Sequence, residues 1–223
     1  MQRLVSWLLS FRVDEVKRFL FIFYLVGLIG FLMPFSHSLF LWLTRWALLF
    51  NVLLLVRFYG DGFTARHGLV YVVIMLAGFA VEMVGVNTGL VFGSYVYGPA
   101  LGLKLWGTPL MIGLNWLMLT FCWSAVLQSF RIPIFVKVFL AALGMLFYDV
   151  LLEPSAPLLD MWVWHNDAIP LQNYVAWFGI ALFFQALVHG MRMVRFHPLA
   201  RVVLLSQMLF FFGLWIAQII GLS

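Results

Sequence analysis

Long apolar runs separated by short polar segments dominate this chain. A helix needs about 20 consecutive apolar residues to cross a bilayer core, and seven runs approach or reach that length. The segments between them are richer in Gly, Pro and polar residues, which end helices. The pattern therefore predicts an all-α fold, in which residues 1–223 form a single integral membrane domain, a bundle of about seven transmembrane helices. The predicted spans are 19–34, 38–57, 68–86, 109–128, 133–153, 171–190 and 201–222.

The composition agrees with this class of protein. The chain is 65% hydrophobic and 9% charged, with a mean hydropathy of +1.07, which is typical of a multi-pass protein of the cell membrane. Its net charge of +5 predicts no nucleic-acid partner, because basic residues in a membrane protein first report topology. The single cysteine, Cys122, excludes a disulfide within the chain and a site with several Cys ligands.

The distribution of Lys and Arg predicts the orientation. With a cytoplasmic N-terminus, eleven of these residues fall on the inner side and only Lys104 on the outer side, while Arg45 lies within the second span. Basic residues concentrate on the cytoplasmic side of membrane proteins. We therefore expect the N-terminus inside and the C-terminus outside. The two longest loops, 87–108 and 151–170, then share the outer side.

Two acidic residues lie inside predicted spans, about one turn from their outer ends. Glu82 is in the third span and Asp149 in the fifth. An ionisable group at membrane depth costs a few kcal/mol on insertion scales, so it is commonly retained for a function. Glu82 and Asp149 are therefore the candidate catalytic residues. A snorkelling carboxylate or a hydrogen bond that packs two helices is the alternative.

The same order of residues follows Glu82 and Asp149, and only the distance from the aromatic pair to the proline differs between the two copies. This predicts that spans three–four and five–six form a parallel repeat, with the two carboxyl groups facing each other across a pseudo-twofold axis and the aromatic pairs lining one vestibule. Coincidence in a chain with 18% aromatic residues is the alternative. The matched positions are Tyr95-Val96-Tyr97 with Trp162-Val163-Trp164, Pro109 with Pro170, and Trp116 with Trp177.

Five further residues are candidates to position water or support the carboxyl groups. Asn87 and Thr88 follow the third span, and Asn173 lies in the outer turn of the sixth, where helix capping or interhelical bonding is an equal alternative. Glu153 follows Asp149 by one helical turn and shares its face. Arg45 is the candidate counter-ion of one carboxylate.

Other chemistries lack their sequence patterns. The five histidines show no close pairing of the histidine-box kind, and we find neither a dinucleotide fingerprint nor a phosphate-binding loop. We therefore expect no metal and no other cofactor. A site of carboxyl groups, amides and aromatic rings beside lipid suits acid–base chemistry on a lipophilic substrate.

The central part of the chain, about residues 82–177, resembles the membrane carotenoid 1′,2′-hydratases. The resemblance begins with EMVGVNTGLVFGSYVY at 82–97 and depends on the combination of motifs, since no single one is specific. Its other parts are LG at 101–102, GTPL at 107–110, Trp116, DVLLEP at 149–154, WVW at 162–164, IPL at 169–171 and NY at 173–174.

The resemblance implies that water is added to the terminal isoprenoid C=C of an acyclic carotenoid end, with the carotenoid taken from the bilayer. Such an alkene must be protonated, and the resulting tertiary cation must be stabilised and captured by water. Glu82 or Asp149 would donate the proton while the other orients water, with Asn87 and Asn173 as water-positioning amides. The cation would be stabilised by Tyr95, Tyr97, Trp162 and Trp164.

Two other functions fit the same pattern. Parallel repeats with polar residues also build small transporters and channels, although here the polar residues cluster at one side of the membrane. A carotenoid- or lipid-binding protein without catalysis would need the aromatic residues but no acid.

Overall fold

The computed structural model describes residues 11–60, 62–165 and 168–222. Each predicted span coincides with one helix, so the predicted all-α fold is confirmed. A short 3-10 turn, Glu153–Ser155, continues the fifth helix. The helices are α1 (Val13–Leu32), α2 (His37–Arg57), α3 (Ala65–Thr88), α4 (Met111–Leu127), α5 (Ile134–Leu152), α6 (Leu171–Gly190) and α7 (Ala200–Ile219).

Five segments in this described part of the chain are helical, long and apolar enough to cross a membrane. Helix α1 is not among them because it begins earlier than predicted and therefore includes several charged residues in its first turns. At this start, Glu15 accepts a hydrogen bond from the backbone N–H of Arg12. Helix α4 is shorter. The number of spans and their orientation stay predictions. The five segments are His37–Arg57, Ala65–Thr88, Ile134–Ser155, Leu171–Gly190 and Ala200–Ile219.

Helix α4 occupies the centre of the bundle. It packs against α2, α3, α5, α6 and α7, and twelve of its seventeen residues are buried. A helix that is apolar on all sides belongs in an interior. Helices α3 and α4 form one tightly packed hairpin, and α5 and α6 form a second. These are the two units that the predicted repeat requires.

A two-stranded ribbon joins the loops of the two hairpins. Strand β1 (Tyr95–Tyr97) pairs antiparallel with β4 (Trp162–Trp164), and Val96 lies opposite Val163. Side chains alternate across a strand, so both valines are exposed and the four aromatic side chains are buried on the other face. A register centred on equivalent residues supports the predicted pseudo-twofold axis. Between β1 and α4, β2 (Lys104–Leu105) pairs with β3 (Thr108–Pro109).

Candidate active site

Glu82 is held beneath the ribbon by three hydrogen-bond donors. Its Oε2 accepts from the hydroxyls of Tyr95 (2.6 Å) and Tyr97 (2.8 Å), and its Oε1 accepts from the indole N–H of Trp116 (3.0 Å). Burial, and then the neighbouring Glu82 carboxyl, raise the pKa of both phenols, so the tyrosines remain protonated donors. Glu82 itself is buried, with 2% of its surface exposed.

Close packing of α3 on α4 brings Trp116 to this carboxyl group. Gly78 lies one turn before Glu82, on the same face of α3. A Cβ atom at Gly78 would lie 2.7 Å from the Cβ of Trp116, so a larger residue would displace the indole. The missing side chain at Gly78 therefore lets Trp116 lie against α3 and reach Glu82.

A second carboxyl group is held in the same way from the other strand. The Oε2 of Glu153 accepts from the indole N–H groups of Trp162 (3.1 Å) and Trp164 (2.9 Å). The Asn173 amide donates to Glu153 Oε1 (3.4 Å) and to Asp149 Oδ2 (3.1 Å), and so bridges the two acids. Glu153 is therefore an integral member of the site.

Asp149 differs from the other two acids in its hydrogen bonding. It is completely buried, and Asn173 is the donor to its Oδ2. Among the described residues its Oδ1 has no hydrogen-bond partner. A buried polar atom without a partner is uncommon and calls for an explanation.

Ring contacts across the ribbon join the Glu82 group to the Glu153 group. The rings of Tyr95 and Trp164 are 4.9 Å apart, and those of Tyr97 and Trp162 are 6.0 Å apart. Three carboxyl groups are thus gathered below four aromatic side chains, as the predicted vestibule requires. In hydrogen bonding, however, the counterpart of Glu82 is Glu153, although the spacing along the sequence equates Glu82 with Asp149.

Asn87 and Thr88 do not reach the carboxyl groups. The Asn87 amide donates to the carbonyls of Met83 (2.7 Å) and Trp106 (2.9 Å), and the Thr88 hydroxyl to that of Val84 (2.6 Å). Both side chains are turned back onto the exposed C-terminal end of α3, where the last carbonyls need donors. The structure thus places them as helix-end residues, which corrects their predicted position beside the acids.

Arg45 is not the counter-ion that the sequence led us to expect. Its Nη2 donates to the carbonyl of Pro99 (3.4 Å), and in the part of the chain that the structure describes no cationic side chain pairs with Glu82, Asp149 or Glu153. Neutral phenol, indole and amide donors take the place of a cation. The sequence indicated Trp116 as a repeat position and as part of the family resemblance, but not as a donor to Glu82; its regular spacing from Pro109 was the signal that could have identified it.

A cavity of about 480 Å³ lies beside these acids, between α1, α2, α4, α5 and α7. Its walls are mainly apolar. Trp162 belongs both to this wall and to the Glu153 group. Tyr148 and Leu152, which also line the cavity, immediately precede Asp149 and Glu153. The arrangement therefore combines an apolar pocket with a neighbouring set of buried acids.

Comparison with known proteins agrees with this combination. The family model described as carotenoid biosynthesis protein matches residues 40–222, from α2 to the end of α7. The chain belongs to this carotenoid biosynthesis family. The family resemblance seen in the sequence is thereby confirmed, and the apolar helices are those of a membrane protein of this family.

One curated relative of this family member is bisanhydrobacterioruberin hydratase from Haloarcula japonica. It is 27% identical over 125 residues, which cover 50% of this chain and 41% of that protein. The match thus spans about two fifths of the relative's length. No solved structure matches the chain.

Proposed function

We propose that this carotenoid biosynthesis protein adds water to the terminal isoprenoid C=C of an acyclic carotenoid end and forms a tertiary alcohol. The observation that carries the proposal is a group of three buried carboxyl side chains beneath four aromatic rings, with no cation paired to them within the described residues. The relative named as a hydratase and the adjoining apolar cavity support it.

The proposed reaction balances without an oxidant or a reductant. A carboxylic acid O–H transfers its proton to the less substituted alkene carbon, and the π electrons form the new C–H bond. Water then forms a C–O bond to the tertiary cation. The proton that this water loses returns to a carboxylate, so the net change is the addition of one water molecule.

The hydrogen bonds favour Asp149 as the proton donor. Three ionised carboxylates in one buried site without a cation would be strongly unfavourable, so at least one must carry a proton. Glu82 accepts three hydrogen bonds and Glu153 accepts from two indoles and an amide, which stabilises their charged forms. Asp149 has a free Oδ1, the position at which a proton to be donated would sit.

Glu82 and Glu153 then act as fixed negative charges on the two sides of the ribbon. A charge that is held in place before the reaction stabilises a developing cation without reorganisation. The faces of aromatic rings also attract cations, which assigns this part to Tyr95, Tyr97, Trp162 and Trp164. Asn173, which bridges Asp149 and Glu153, fixes the distance between donor and neighbouring charge.

The test is production of hydroxylated carotenoid in a host that makes lycopene, with the chain or with its Asp149→Asn variant. We expect the wild-type chain to give a more polar pigment heavier by one water, whose oxygen derives from isotopically labelled water and not from dioxygen. The variant should accumulate normally and leave lycopene unchanged. A transporter or a purely binding protein would leave lycopene unchanged in both cases, and label from dioxygen would contradict hydration.

A further inference from the structure

The hydroxyl and amide side chains that line the cavity are bonded to the protein with one exception. The Thr44 hydroxyl donates to the carbonyl of Phe40 (3.1 Å). Tyr148 donates to Gln207 (2.8 Å), and Gln207 donates in turn to the Tyr24 oxygen (2.9 Å). These residues connect α1, α5 and α7 and form part of the wall.

Asn115 is the exception. It lies in the first turns of α4, lines the cavity and is 8% exposed. No hydrogen bond to or from its amide is seen within the described residues, and its amide atoms are not fully enclosed, so they are open to the cavity that the residue lines. An amide offers two donors and an acceptor to an occupant. Leaving such a group unpaired beside apolar walls is unfavourable. A Leu of similar size would fill the same space without this cost, so the amide points to an occupant that bonds to it.

We propose that the cavity binds an acyclic isoprenoid end together with one oxygen atom, and that the Asn115 amide holds this oxygen. The apolar walls fit the hydrocarbon, and the Asn115 amide, which is unbonded among the described residues, fits one polar atom. Asn115 immediately precedes Trp116, which bonds to Glu82, and faces the same cavity as Trp162, which bonds to Glu153. The oxygen site is therefore at the side of the cavity that adjoins the acids.

This inference rests on the proposed hydration and adds a binding role to it. The oxygen that enters as water leaves as the hydroxyl of the tertiary alcohol. One amide can therefore donate a hydrogen bond to the water oxygen, accept a hydrogen bond from a water O–H, and later bond to the product hydroxyl. Asn115 thus gives the cavity a higher affinity for an isoprenoid that carries one oxygen than for the hydrocarbon without it.

The experiment compares two small probes with the purified chain in detergent. Myrcene is an acyclic hydrocarbon with the same terminal isopropylidene group, and myrcenol is its hydration product at that group. Their Kd values follow from the rise in Tm with ligand concentration. For the wild type we expect myrcenol to bind roughly three- to tenfold more tightly, the difference that one net hydrogen bond provides.

Asn115→Leu should abolish this preference and retain myrcene binding, because the change would break no hydrogen bond seen within the described residues. Thr44→Val is the matched control: it removes a hydroxyl from the same wall, but one that already donates to Phe40. The preference should survive in that variant. Equal affinities for the two probes in the wild type, no binding of either probe, or an unchanged preference in Asn115→Leu would each overturn the inference.

These outcomes are separate from those of the pigment assay. If the wild-type chain leaves lycopene unchanged but prefers myrcenol through Asn115, the oxygen site is supported and the proposed hydration is contradicted. If the chain hydrates lycopene but shows no preference, the hydration is supported and the oxygen site is contradicted.

Discussion

Trp116 of α4 and Trp177 of α6 stack face to face, with ring centroids 4.0 Å apart and planes inclined by 23°. Each follows the proline of its own repeat by seven residues. Equivalent side chains that contact each other lie on or near the axis that relates their units. The Trp116–Trp177 stack among the helices and the Val96–Val163 pair in the ribbon thus both indicate a pseudo-twofold axis between the two hairpins.

The two indoles have different additional roles, which a matched pair of variants separates. Trp116→Phe removes the donor to Glu82 Oε1, whereas for Trp177 no hydrogen bond is seen among the described residues. Both changes shrink the stack. We expect Trp116→Phe to lower the unfolding free energy by about 1–3 kcal/mol more than Trp177→Phe, because it leaves a buried acceptor unpaired. Denaturation in detergent measures this; equal losses would contradict the role of the indole N–H.

Asp149→Asn keeps the size of the side chain but cannot supply an acidic proton. General acid catalysis is worth about 10²–10⁴ in rate, so hydration should fall by that factor while the protein accumulates normally. Asp160→Asn is the control, because Asp160 is exposed and has a left-handed backbone that Asn also tolerates. It should leave turnover near the wild-type value. Near-normal turnover in Asp149→Asn would contradict the role of Asp149 as the proton donor.

Glu82→Gln and Glu153→Gln should behave alike. Each carboxylate accepts hydrogen bonds at both oxygens, and an amide can accept at only one of two positions. One neighbouring donor would then face an N–H group. We expect each variant to lose about 1–3 kcal/mol of stability and to hydrate more slowly. A Glu153→Gln variant of unchanged stability would contradict the need for an acceptor at both oxygens of this side chain.

Gly98 lies where the chain leaves β1 and runs against the backbone of Asp160. A Cβ atom there would overlap the carbonyl oxygen of Asp160, beside the bond from the Gly98 N–H to the carbonyl of Met161 (2.8 Å). Gly98→Ala should therefore cost about 1–3 kcal/mol by forcing the two loops apart. Gly179→Ala, in an α6 position with open space, should be neutral or stabilising. Similar Tm values for the two variants would contradict the close approach.

The orientation can be tested by reporters fused after Ser223 and inserted near Arg195. The distribution of Lys and Arg predicts that the first is outside and the second cytoplasmic. Cytoplasmic behaviour of both fusions would refute the arrangement with seven spans.

The sequence predicted the helices well because uninterrupted apolar runs leave a chain in a bilayer few alternatives. It also brought Glu82 together with Tyr95 and Tyr97, whose spacing is local. It also placed Glu153 beside Asp149 on one helix face. It did not predict that a 3-10 turn continues α5 beyond the end of the predicted span, which brings Glu153 under Trp162 and Trp164.

The error on Arg45 has a different cause. Hydropathy locates a residue along a helix but does not tell which neighbour its side chain meets, and α2 directs Arg45 to the carbonyl of Pro99. For Asn87, the sequence could not distinguish an amide that binds water from one that bonds to the end of its own helix. The pairing of β1 with β4, which joins distant loops, also has no local signal.

Every hydrogen-bond donor to Glu82 described above comes from the α3–α4 hairpin, and every donor to Asp149 and Glu153 comes from the α5–α6 hairpin. Each hairpin can thus enter the bilayer during synthesis with its own acids already solvated by its own side chains. Neither hairpin needs the other to supply hydrogen-bond donors for its buried carboxyl groups. Docking of the two modules then packs α4 against α5 and α6, stacks the rings and pairs the ribbon, so the reactive centre is completed when the two hairpins meet.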